Sequence, residues 1–101
     1  MGGIWVIAKR IGDCEDIALA KRQALVRAGW PGNALWLAIG RDRDGMAHVV
    51  LVVRSNRGDL VLDNRNGRVS PWYQVDLKWL ARQYPGDPLY WRAIHPQQAA
   101  P

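Results

Sequence analysis

Residues 46–54, Met-Ala-His-Val-Val-Leu-Val-Val-Arg, constrain this chain more than any other stretch. They are rich in β-branched residues, and both alternating faces are apolar. A strand of that kind belongs in the middle of a sheet. Its neighbours in sequence supply partners. Residues 34–40 (ALWLAIG) read as the strand before it, and residues 60–63 (LVLD) as a strand after it. Polar turns at residues 41–45 (RDRDG) and 55–59 (SNRGD) separate the three. A further turn, 64–67 (NRNG), leads to a short edge strand within residues 68–73, broken by Pro71. Residues 74–84 fit a helical turn or a strand. Residues 85–88 read as a loop, 89–94 as a last strand and 95–101 as a frayed tail.

Upstream, residues 14–28 read as a helix. Asp13 is a good N-cap, with Asp16 three residues later as a weak capping-box partner. Gly29-Trp30-Pro31 supplies the stop, with Gly at the C-terminal cap and Pro beyond it. Residues 1–11 form a short, mostly apolar opening segment, a strand or a helix fragment. The expected product is one helix followed by an antiparallel meander. That is an α+β layout in a single domain over residues 1–101.

Composition narrows the function classes. Hydrophobic residues are 49% and charged residues 23%, which suits a folded chain rather than a disordered one. No apolar run approaches the roughly 20 residues that cross a bilayer. The apolar stretch at residues 4–8 is shorter than the core of a signal peptide, so no export signal is visible. The net charge of +5 comes from scattered lysines and arginines without a dense run, and nucleic acid is not an expected partner. One cysteine, Cys14, rules out an intramolecular disulfide and a metal site built on several thiolates.

Cys14 is therefore a buried apolar residue or a reactive thiol, and its neighbours bear on which. At about 100° per residue it shares an arc with Ile17, Ala18, Ala20, Ala24, Leu25 and Ala28, which turns it toward the sheet. In the first turn of a helix, unpaired N–H groups and the dipole stabilise a thiolate. The flanking Asp13, Glu15 and Asp16 oppose thiolate formation, and they also fit poorly at a purely structural core position. A thiol nucleophile needs a base and a group that orients it. Of the two histidines, His95 lies near the tail and reads as a surface residue. His48 lies inside the most apolar strand, on one face with Met46, Val50 and Val52. If Asn56 and Arg57 form a two-residue hairpin tip, Asp63 falls opposite Val50 and becomes a diagonal neighbour of His48. A slip of one residue would break that relation. Read singly, His48 is a core histidine and Asp63 a turn-initiating aspartate.

The ordered set of motifs resembles the bacterial transglutaminase-like cysteine proteinases. Gly12-Asp13-Cys14-Glu15-Asp16-Ile17-Ala18-Leu19-Ala20-Lys21 resembles their nucleophile motif. Ala28-Gly29-Trp30-Pro31, Arg41-Asp42-Arg43, Gly45-Met46-Ala47-His48-Val49-Val50-Leu51 and Leu60-Val61-Leu62-Asp63-Asn64 follow in the family's order. The resemblance implies a transglutaminase/papain-like core with a Cys14–His48–Asp63 triad that hydrolyses a peptide bond in a protein or peptide substrate. It implies calcium beside the nucleophile, at Asp13 and Glu15 with Asp16 a weaker ligand, and no organic cofactor. Best-known members are periplasmic proteases that clip a surface adhesin to release cells from biofilm. An inner-membrane cyclic-di-GMP receptor sequesters them, so the resemblance also implies such a receptor as a partner. Those members carry a lobe before the nucleophile helix, whereas here only the stretch from Met1 to Asp13 precedes Cys14. An acyltransferase or amidase on the same scaffold, and a protein-binding module without turnover, are the alternatives.

Overall fold

The computed structural model describes residues 2–85 and 87–94; the tail expected to fray, with His95, lies outside them. The chain opens on one helix, α1 (Gly2–Arg27), of 26 residues. This corrects the expected start at Asp13. Residues 2–11 contain no proline, and Gly12 costs an interior helix only about 1 kcal/mol. Asp13 caps a helix only where the preceding backbone is non-helical. Ile11, Cys14, Ala18 and Leu25 make one stripe that packs on the sheet, so α1 continues through the motif. The buried arc is narrower than expected. Ala18 is buried, whereas Ile17, Ala20, Ala24 and Ala28 are exposed.

The helix stops where the sequence predicts. Gly29 adopts φ +104°, a conformation open to glycine. Gly29 N–H donates to Val26 O at 3.1 Å, and Trp30 N–H to Leu25 O at 3.0 Å. These are the paired bonds of a Schellman cap, and Pro31 lies just beyond them.

Six strands follow: β1 (Leu35–Arg41), β2 (Ala47–Ser55), β3 (Gly58–Asp63), β4 (Arg68–Pro71), β5 (Lys78–Tyr84) and β6 (Asp87–Ala93). The first four form a meander in which β2 is central, as its composition requires. The ambiguous stretch 74–84 resolves into the end of a 3-10 turn, Trp72–Gln74, and strand β5. The sheet order is β4-β3-β2-β1-β5-β6, all antiparallel. The expected simple meander is thus corrected, because the chain crosses from the β4 edge to the far side of β1.

That crossover explains why both faces of β2 are apolar. On one face α1 covers Leu35, Leu37, Val49, Leu51 and Val53. On the other, Trp36, Ala38, Val50, Val52 and Val61 pack with Leu77 of the crossover, backed by Trp72, Val75 and Trp79. Each fully buried side chain of the larger kind contributes ~1.5–3 kcal/mol. The crossover lies hard against β1 at Gly40, where the β1–β5 register shifts. A Cβ on Gly40 would stand 2.8 Å from Leu77 Cβ. No helix among the described residues is long and apolar enough to cross a membrane.

Candidate active site

The β2–β3 hairpin sets the geometry. Ser55 pairs with Gly58 around the Asn56–Arg57 tip, and the ladder runs to Leu51 opposite Leu62. Continued by one step, it brings Asp63 level with Val50, the register the sequence suggested. His48 and Asp63 therefore share the face turned away from α1, both nearly fully buried. Cys14 comes from the other side, half-buried on α1 against the Val49 and Leu51 face. The two sides meet where β3 ends and residues 47–49 of β2 run on without it. A cavity of about 250 Å³ opens there, bordered by Cys14, His48 and Asp63 together with Ile17, Asn64 and Arg65.

Two carboxylates flank His48. The sequence named Asp63. The structure adds Asp42, in the β1–β2 turn, whose Oδ2 lies 2.8 Å from His48 Nε2. Its other oxygen, Oδ1, accepts the N–H groups of Asp44 at 3.0 Å and Met46 at 2.9 Å, so one side chain builds the turn and holds the ring. The hydrogen bond to His48, then those from the backbone, keep the Asp42 carboxyl below its usual range. Strand alternation cannot reveal a turn residue. An aspartate six residues before a histidine across a glycine turn was the available signal.

Asp63 is engaged differently. Burial pushes its carboxyl up, but Arg65 outweighs burial and leaves it below the usual range. Arg65 Nη2 lies 2.6 Å from Asp63 Oδ2, and Nε lies 3.0 Å from both oxygens. The Arg65 N–H also donates to Oδ1 at 2.9 Å, which turns the chain out of β3. The nearby His48 lowers the Asp63 carboxyl further. Asn64 completes the wall. Its Oδ1 accepts from Lys21 on α1, which fixes the amide orientation, since Lys only donates. Its Nδ2 is then buried without a partner among the described residues.

Cys14 lies in the interior of α1, so its N–H belongs to the helix's own i to i−4 ladder. The expected help from a helix start for the thiolate is corrected accordingly, and the Cys14 N–H is not free to hold an oxyanion. The three acids expected at a calcium site all stand on α1, where Glu15 points to a different side of the helix from Asp13 and Asp16. Asp13 and Asp16 are exposed. The three do not converge, and among the described residues no group of three or more His, Cys, Asp or Glu side chains could hold a metal ion. The arrangement does not fit calcium's need for about 6–8 oxygens.

A thiol, an imidazole and a carboxylate around one cavity are what thiol hydrolysis requires. Comparison with known proteins points the same way. A family model for bacterial transglutaminase-like cysteine proteinase matches residues 2–99. No curated protein and no solved structure matches significantly. With a match over nearly its whole length, the chain belongs to the bacterial transglutaminase-like cysteine proteinase family.

Proposed function

We propose that the chain hydrolyses a peptide bond through Cys14, His48 and Asp63. The observation that carries this reading is the shared cavity, in a chain whose family is a cysteine proteinase. Cys14 Sγ attacks the scissile carbonyl carbon and its proton passes to His48, which returns it to the leaving amine. An ionised Asp42 can only accept, so His48 Nε2 carries the ring proton and Nδ1 is the basic nitrogen. Asp63, kept ionised by Arg65, supports the imidazolium that forms. Activation of the thiol rests on His48, since Cys14 is remote from a helix end. The unpartnered Nδ2 of Asn64 is the donor available to the oxyanion. Water then releases the acyl group from Cys14. No step runs through calcium.

The test is hydrolysis of unfolded casein, together with iodoacetamide alkylation of Cys14 at neutral pH. Cys14→Ala should abolish hydrolysis and keep the fold. His48→Ala should slow both hydrolysis and alkylation by about 100-fold or more. Hydrolysis surviving in Cys14→Ala, or alkylation indifferent to His48, overturns the assignment. Transfer to an added amine in place of hydrolysis would instead favour an acyltransferase.

A further inference from the structure

The apolar arc of α1 is only half used by the core. Cys14, Ala18 and Leu25 face β1 and β2, and α1 lies across those two strands. At about 100° per residue the neighbouring flank holds Ile17, Lys21, Ala24 and Ala28. Ile17, Ala24 and Ala28 stay exposed. Where it carries Lys21 and Ala24, this flank looks toward β3 and β4, which α1 leaves partly open. Leu62 pairs with Val69 there, on the same face as Leu51 beneath the helix. Val69 stands largely exposed.

Between the flank and the strands runs a groove with two hollows. The first is the cavity at Cys14, which Ile17 and Asn64 border. The second, of about 290 Å³, has Ala24, Leu25, Leu62 and Val69 as apolar walls, with Lys21 and Arg68 as cationic ones. The Lys21 ammonium donates to Asn64 Oδ1, so the two hollows meet at that hydrogen bond. Incomplete cover of a sheet by one helix explains an open hollow. It does not explain why the hollow continues the cavity of the thiol.

We propose that the second hollow is a specificity subsite that takes one large apolar side chain of the polypeptide substrate, a leucine, isoleucine, methionine or phenylalanine. The inference rests on the hydrolytic reading, since the chain that enters the groove is the one lying over Cys14. Cys14 and Ala24 are ten residues apart on α1, about 15 Å along its axis. A polypeptide laid along the groove in extended form covers that span in about four or five residues. The side chain in the hollow therefore stands at that remove from the scissile bond. Burying it against Leu25, Leu62 and Val69 holds the substrate in place while Cys14 reacts.

The test is nuclear magnetic resonance titration of the full chain carrying Cys14→Ala, so that nothing is cut. The probes are two blocked nonapeptides of glycine and serine, one with leucine at its centre and one with serine there. The leucine peptide binds tighter by about tenfold or more, as burial of one leucine side chain allows. Ala24→Trp fills the hollow from the exposed flank, and Val69→Lys puts a charge in its wall. Each keeps the fold and removes the preference for leucine. With Cys14 restored, Ala24→Trp leaves iodoacetamide alkylation unchanged, because so small a reagent needs no groove. Absence of leucine-peptide binding, equal binding of the two peptides, or a leucine preference that survives both variants overturns the proposal. Dimerisation of the parent chain that Ala24→Trp abolishes overturns it too, since a second copy then fills the groove. Binding needs no turnover, so failure here is distinct from a failure of Cys14 and His48 to hydrolyse casein.

Discussion

His48 and Trp36 lie on the same face of the sheet, both almost fully buried, and each carries a ring nitrogen. Their surroundings are opposite in charge. Asp42 and Asp63 flank His48, while Arg54 and Arg82 lie over Trp36. The difference follows from where each carboxylate or guanidinium is anchored. Asp42 and Asp63 are turn builders, held by backbone N–H groups that would otherwise lack partners, so their charge near His48 costs the fold little. The arginines stand within strands, where a side chain builds no turn and Arg82 faces Arg92. One pole is anchored in turns, and the other stands within strands.

The sharpest way to separate the poles is to remove each ring. His48→Gln should leave the thermal midpoint within a few degrees and lower casein hydrolysis by about 100- to 10,000-fold. Trp36→Ala should do the reverse in kind. It empties the core beneath Arg54 and Arg82 and should cost about 3–5 kcal/mol of unfolding free energy, read by urea denaturation. If His48→Gln unfolds the chain while Trp36→Ala does not, the assignment of one pole to chemistry and the other to structure is wrong.

A smaller perturbation reaches the His48 pole from across the strand. Gly40 pairs with His48, and its missing Cβ makes room for Leu77. Gly40→Ala should cost about 1–3 kcal/mol by overpacking. The displaced β1 backbone should carry the Asp42 turn with it, so hydrolysis should fall along with stability. A fully stable and active Gly40→Ala would show that the crossover is not pressed against β1.

Asp42→Asn is milder still. Asparagine keeps the turn but loses the charge on His48, so hydrolysis should drop by about tenfold or more with little change in fold. The pH dependence has a definite sign. Asp42 and Asp63 are both held below the ordinary carboxylate value. Their stabilisation is complete above that value, about 3.9, and is lost as pH falls through their folded values. Asp42→Asn should therefore show a shallower loss of stability in acid than the parent chain.

Much of this was legible in the sequence because it depends on alternation and punctuation. Val49 to Val53 fix β2 as central. Gly29 and Pro31 end α1. The two-residue tip at Asn56 and Arg57 puts Asp63 on the face of His48. What was illegible depends on contacts between distant segments or within turns. Nothing in Gly12-Asp13 tells a helix start from a helix interior, because the stripe formed by Ile11 and Cys14 gains its energy only from the sheet beneath. The return of β5 to β1 rests on Leu77 meeting Gly40, a contact between residues far apart along the chain. Asp42, Arg65 and Asn64 act from turns, where the period of two no longer orders side chains.

The smallest expected effect tests the cationic pole through its own acid. Burial pushes the Asp59 carboxyl above its usual value even though Arg54 and Arg82 pull it down. A raised carboxylate works against folding at neutral pH, and the penalty disappears as pH falls below the ordinary value. Acid thus relieves this pole while it weakens the one at His48. Asp59→Asn should raise stability at neutral pH by less than about 1 kcal/mol, as for a partly exposed surface charge. The gain should shrink to nothing near pH 3. A loss of stability at neutral pH would mean that attraction to Arg54 and Arg82 outweighs burial at Asp59.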